Sequence, residues 1–179
     1  MRTPIALALC ALLAPTSARA ADLFGGYSAY GLTNPGAHLG VELHLAEAER
    51  FTVFSTLGLE GYREAGAQAG GMLNLRYGTR WTAPFGAMVE TGLGAAGEVY
   101  ASTETTWTFE DGVASSAEAL RVRPAFAPSV FLGAGYDLSR RTKAPLMLYA
   151  RPTLIWRIPD RNLALRNAVD VQVGLTWRR

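Results

Sequence analysis

Ten charged residues stand out for their positions. Glu42, Glu60, Arg76, Arg80, Glu90, Glu98, Asp137, Arg151, Arg157 and Asp170 each occupy the polar row of a segment that alternates apolar and polar residues. Side chains on an extended strand point to opposite faces in turn, so these groups share a face with serines, threonines and glycines and turn away from leucines and valines. The chemistry open to such a set is ion pairing in a confined space. A guanidinium grips a carboxylate through a planar fork, and a charge taken out of water without a partner is strongly destabilising. The set makes either a salt-bridged plug or the lining of a narrow, gated pore. The plug is favoured, because a small closed sheet leaves room for little besides side chains. Arg76, Arg80, Arg151 and Arg157 are expected to pair with Glu60, Glu90, Glu98 and Asp137.

Other candidates carry less. Gly92-Leu93-Gly94-Ala95-Ala96-Gly97 has the spacing of a dinucleotide-binding fingerprint. That motif works where a strand turns into a helix whose amino end holds a pyrophosphate. Here Glu98-Val99-Tyr100 continues the strand, and close packing accounts for the glycines better. Trp107 and Phe109 lie in the stretch 102–122, which is rich in Thr, Ser and acidic residues. Exposed loop aromatics often mark a contact surface. The competing reading, ranked slightly higher, prolongs the two flanking strands into a hairpin. The carboxylates of this stretch lack calcium-loop spacing, and neither a metal nor a cofactor is expected.

The elements that must position these residues begin after a leader. Arg2, the apolar run 5–14 and the small residues of Ala18-Arg19-Ala20 predict an export signal cleaved after Ala20. The run is too short for the ~20 residues of a spanning helix. Cys10 lies inside it behind Leu9, which argues against lipidation. The remainder, 21–179, is read as one domain. It has no cysteine, which excludes disulfides, thiolate metal sites and a cysteine nucleophile. Without Arg2 and Arg19, fifteen basic residues face fifteen acidic ones, a net charge of zero that gives no footprint of a nucleic-acid binder.

Eight alternating segments follow: 22–31, 38–45, 51–62, a fourth carrying Leu73, Leu75, Tyr77 and Trp81 opposite Asn74, Arg76 and Arg80, then 85–100, 124–138, 146–158, and a last with Val169, Val171, Val173, Leu175 and Trp177 opposite Asp170, Gln172, Gly174 and Thr176. A turn is expected at Thr33-Asn34-Pro35-Gly36. Most segments reach the ~9–11 tilted residues that cross a bilayer. Backbone polar groups have no water to bond in lipid, so strands can span only as a closed barrel. With the amino end in the periplasm, the short links fall inside and the long 102–122 link outside.

Alternation alone also fits a soluble barrel with its apolar rows turned inward. Three features favour lipid on the outside: glycines crowd the polar rows (Gly40, Gly58, Gly78, Gly86, Gly92, Gly94, Gly133, Gly135, Gly174), opposite charges share those rows, and fourteen arginines stand against the single Lys143. Tyr27, Tyr77, Trp81, Phe85, Tyr136, Trp156 and Trp177 fall on the apolar rows, several near strand ends where interfacial belts sit. The expected fold is all-β, an eight-stranded antiparallel up-and-down transmembrane β-barrel.

With its leader, its strand count and phrases such as Gly133-Ala134-Gly135-Tyr136-Asp137-Leu138, the chain resembles the small eight-stranded outer-membrane barrels, of the OmpA transmembrane-domain, OmpX, OmpW and NspA kind. The resemblance implies residence in a bacterial outer membrane, contact with its lipid and lipopolysaccharide, and insertion by the barrel-assembly machinery. Such barrels usually end in an aromatic residue, whereas Trp177 here is followed by Arg178 and Arg179. Some relatives modify lipid A, but His38 and His44 lack the local histidine-serine motif of the deacylases, and no amphipathic amino-terminal helix like that of the palmitoyltransferases is seen. Ser28, Ser55 and Ser129 are candidate hydroxyls by elimination only. The expected role is structural or adhesive, through the outer loops, and not enzymatic. The rivals are a narrow channel for small solutes, a lipid-modifying enzyme and a soluble periplasmic ligand-binding barrel.

Overall fold

Strict two-residue alternation over long stretches is a pattern that only strands can satisfy, and strands are what form. The computed structural model describes residues 21–64, 68–110, 113–159 and 165–178, and of 104–110, 113–115 and 117 the backbone alone. The expected leader therefore lies outside the described residues. Eight strands run in order: β1 (Asp22–Tyr30), β2 (Asn34–Glu47), β3 (Phe51–Glu64), β4 (Gln68–Thr82), β5 (Ala87–Glu110), β6 (Val113–Asp137), β7 (Leu146–Arg157) and β8 (Arg166–Trp177). Each pairs antiparallel with its chain neighbour. β1 pairs with β8 from Leu23↔Trp177 to Tyr30↔Asp170, which closes the barrel.

The alternation sets which row faces which way. Leu73, Leu75 and Val173 lie outside at 53%, 42% and 50% exposure, while Arg76 and Asp170 on the same strands lie inside at 4% and 0%. The outer wall is apolar all round, with Leu39, Leu57, Leu59, Leu93, Leu132, Leu148 and Leu175 exposed. Phe51, Trp81, Phe85 and Trp177 gather at the end where Asp22 lies, termed here the lower end. This is the reverse of a soluble barrel, and its belt with an aromatic rim matches a lipid-facing surface.

One expectation needs correcting, and one choice between readings resolves. The first turn occupies 31–33, not 33–36: Gly31 and Leu32 take left-handed φ values of 63° and 70°, and Tyr30 pairs with Asn34 across them. Glycine adopts that conformation without strain, so the reversal falls there and Asn34-Pro35-Gly36 enter β2. The stretch 102–122 takes the slightly favoured of its two readings, a hairpin that prolongs the flanking strands. β5 and β6 stay in register from Ala87↔Tyr136 to Glu110↔Val113. β4 leaves β5 at Gln68↔Ser102, and β6 meets the segment after β7 last at Phe126↔Ile158. The hairpin thus continues for eight residue pairs beyond the ring, Thr103↔Leu120 to Glu110↔Val113, about 25 Å at ~3.3 Å per residue.

The wall has one thin place among the described pairings. β6 and β7 pair at Phe131↔Thr153 and again at Ala134↔Ala150, skipping Leu132 and Gly133 opposite Pro152 and Arg151. Proline has no N–H to give the ladder. Beside the gap the outer surface holds an apolar cleft of about 460 Å³ bordered by Leu93, Val130, Leu132, Pro152, Leu154 and Val169.

Candidate functional site

The inward rows of all eight strands meet in a lumen that is filled in storeys. At the lower mouth, His44 Nε2 lies 3.2 Å from Asp22 Oδ2 and 3.2 Å from Glu42 Oε1. Arg178 Nη1 donates to Asp137 Oδ2 at 2.8 Å, with Asp22 and Glu47 at 3.8 and 3.4 Å from the same guanidinium. Asp22, Glu42 and His44 are the one trio of metal-capable side chains found together among the described residues. Arg80 already engages both Glu42 oxygens, so the trio reads as part of an ion-pair knot.

Above the mouth a continuous bridge crosses the barrel. Arg80 from β4 donates Nη1 and Nη2 to Glu42 of β2 at 2.7 and 2.8 Å, and Nε to Glu90 Oε1 of β5 at 2.7 Å. Arg151 from β7 donates Nε and Nη2 to Glu90 Oε2 at 3.0 and 2.7 Å. Two guanidinium groups and two carboxylates are thus linked Glu42–Arg80–Glu90–Arg151, with no net charge. Phe54 lies 4.7 Å from the Arg80 guanidinium, while Phe131 and Tyr149 lie 5.2 and 4.8 Å from that of Arg151. In such a dry interior the ring faces add attraction to that of the carboxylates.

At the upper end Arg157 donates Nε and Nη2 to Glu98 at 2.8 and 2.5 Å and Nη2 to the Tyr62 hydroxyl at 2.6 Å. The Tyr62 hydroxyl donates in turn to Glu98. Tyr30, Tyr62 and Tyr100 surround the guanidinium with centroids 5.2, 5.8 and 4.7 Å away. Tyr30 and Tyr62 stack at 4.3 Å, and Met72, Ala96, Ala127 and Ile155 complete an apolar collar.

Between these storeys Arg76 Nη1 donates to Gln172 Oε1 at 2.6 Å, Gln172 Nε2 to Glu60 Oε2 at 2.8 Å, and Asn74 Nδ2 to the same oxygen at 3.4 Å. Asp170 is two residues from Gln172 on the inner face of β8 and is fully buried. His38 is hydrogen-bonded through Nε2 to the Tyr149 hydroxyl at 2.5 Å.

The ten charged residues singled out from sequence all point inward and are all buried. Their pairing differs from expectation at three positions. Asp137 meets none of the four lumen arginines: it ends β6 at the lower mouth, accepts from Arg178, and caps the following turn through Ser139 N and Oγ at 3.0 and 2.6 Å. Glu42, left out of the expected pairs, takes Arg80. Arg76 reaches Glu60 only through Gln172. The inward aromatics Phe24, Phe54 and Phe131 escaped sequence reasoning because they break the wet row. The signal was in the neighbouring strands: a Cβ on Gly78 would come within 2.8 Å of both the Phe54 and Phe131 rings, and one on Gly92 within 2.6 Å of Phe131. These glycines make the space the rings fill, which also accounts for Gly92, the first glycine of the nucleotide-like motif. The backbone of Trp107 and Phe109 lies in β5 above the ring; their side chains fall outside the described residues.

Several solved structures share this architecture. Neisserial surface protein A (NspA) superimposes with a TM-score of 0.53 over 89% of this chain and 96% of its own, at 8% identity. The fold is that of the small eight-stranded outer-membrane barrels. Ail, the attachment invasion locus protein of Yersinia pestis, gives 0.48 over 88% and 96% at 10% identity. The N-terminal β-barrel domain of Pseudomonas aeruginosa OprF gives 0.44 over 87% and 96% at 12%. At such identities the likeness to NspA speaks to the fold alone. No protein-family model and no curated protein sequence matches the chain.

Proposed function

We propose that this chain is an integral barrel of a bacterial outer membrane whose working surface is the β5–β6 hairpin. The hairpin carries the reading. Its eight outermost residue pairs have no further strand on either side among the described residues, so both strands offer unpaired backbone N–H and C=O groups. Such edges accept a strand from another molecule, with main-chain hydrogen bonds supplying affinity. Leu120, in the first of these pairs, is 72% exposed. The lumen below supports a surface-contact role over transport, since it is crossed by two ion-pair storeys and an aromatic collar. A non-catalytic role is supported by the histidines, which engage a tyrosine and carboxylates.

The test compares cells displaying the full chain with cells whose chain has 103–120 replaced by a short turn. Both should fractionate with the outer membrane and run as heat-modifiable bands. Retention on surfaces coated with plasma or matrix proteins is expected to fall to background for the shortened chain. Equal retention would remove the hairpin from the function, and a soluble, non-shifting product would remove the membrane placement.

A further inference from the structure

Charge balances in two storeys of the lumen and not in the third. Glu42 and Glu90 match Arg80 and Arg151 below, and Glu98 matches Arg157 above. Between them Glu60 and Asp170 face the single guanidinium of Arg76, whose Nη1 is given to Gln172. One negative charge is left over in a compartment shut at both ends. Its oxygens are also left over: Asp170 Oδ1 and Oδ2, Glu60 Oε1 and Ser28 Oγ are buried and make no hydrogen bond of ordinary geometry. Asp170 and Ser28 are each 0% exposed, and Glu60 4%. Register brings the three together. Ser28 on β1 pairs with Gln172 on β8, two residues from Asp170, and Gln172 in turn holds Glu60 of β3.

Two buried carboxylates sharing one guanidinium leave a charge whose burial costs several kcal/mol, so something must answer this surplus. The free acceptors of this storey are all oxygens, which select hard cations over the softer transition metals, while the one free donor beside them, Arg76 Nε, cannot ligate a cation. The surplus is one charge, which a monovalent ion cancels and a divalent ion overshoots. We propose that this storey of the lumen binds one sodium ion ligated by Asp170, Glu60 and Ser28, as a fixed structural constituent of the plug.

The chain would be refolded from urea into detergent micelles in sodium chloride or choline chloride at matched ionic strength, and its unfolding equilibrium measured. Above saturation, the unfolding constant is expected to fall about tenfold for each tenfold rise in free sodium, as binding to the folded state alone requires. Choline, whose methylated nitrogen gives oxygen ligands no bare cation to coordinate, should give no such slope. Asp170→Asn removes the surplus and should abolish the sodium dependence. Ser28→Ala keeps the charge and should shift the dependence to higher sodium with its slope intact, and it carries the test should Asp170→Asn fail to fold. Identical behaviour in sodium and choline overturns the proposal. So does stabilisation by calcium alone, or a dependence on pH in place of sodium that Asp170→Asn removes, which would assign the surplus to a bound proton.

Discussion

Glu90 joins two guanidinium groups that have no other contact with each other: Oε1 takes Arg80 and Oε2 takes Arg151. Arg80 retains Glu42 when Glu90 is neutralised, but Arg151 loses its only ion-pair partner among the described residues. Glu90→Gln is therefore expected to destabilise the barrel by about 3–5 kcal/mol, read as a lower urea midpoint. Glu49→Gln should leave that midpoint unchanged, since the Glu49 side chain is 83% exposed beside Arg50. Gly92 tests the packing half of the plug. Gly92→Val drives a Cβ against the Tyr77 carbonyl oxygen and to 2.6 Å from the Phe131 ring and should cost at least about 1–3 kcal/mol by overpacking, read in the same titration. At this scale the sequence was informative about which residues are inside and uninformative about partners. Alternation assigns Glu42, Glu90 and Asp137 to the same inner surface, but partners are chosen by strand stagger. That stagger lifts Glu90 into the bridge and leaves Asp137 at the mouth beside Arg178.

At the scale of the element, the eight strands were legible because each carries a row with something to bury. The projecting hairpin was legible only as the slightly favoured of two readings, for the same reason. Thr103 to Glu110 offers polar residues on both faces, with Trp107 and Phe109 as the exceptions, and a sheet with no apolar row has no periodicity to betray it. Its strand character is inherited from the part of β5 and β6 inside the ring, where each is paired on both sides. The barrel should accordingly be indifferent to its loss. Replacing 103–120 with a short turn is expected to leave thermal unfolding of the ring within a few degrees of the full chain, followed by circular dichroism in micelles. A collapse of the heat-modifiable form would show that the hairpin helps to close the ring.

The whole molecule is an inverted object, apolar without and charged within, and its tolerance of substitution should be inverted too. Leu93 is 66% exposed midway along the part of β5 inside the ring, a position where a soluble domain would accept arginine. In a bilayer Leu93→Arg is expected to cost about 2–4 kcal/mol, measured by unfolding from lipid vesicles. In planar bilayers the wild-type chain should show no stable open unitary current, because the ion-pair storeys span the lumen; a steady conductance would replace the plug with a pore. The placement of greasy and wet rows was legible from sequence throughout, whereas the surplus charge at Asp170 was not. It emerges only when the residues are sorted by height, and height depends on register.

The missing rungs beside Pro152 bear on how the cylinder comes apart. A closed ladder resists peeling because every strand is clamped on two sides, and the clamp is weakest between Leu132-Gly133 and Arg151-Pro152. Rupture under a pulling force is expected to begin at that seam, so that β7 and β8 leave as a pair while β1 to β6 remain stacked as an open sheet. An atomic-force tip drawing on the carboxyl end would then register the first two strands in one step.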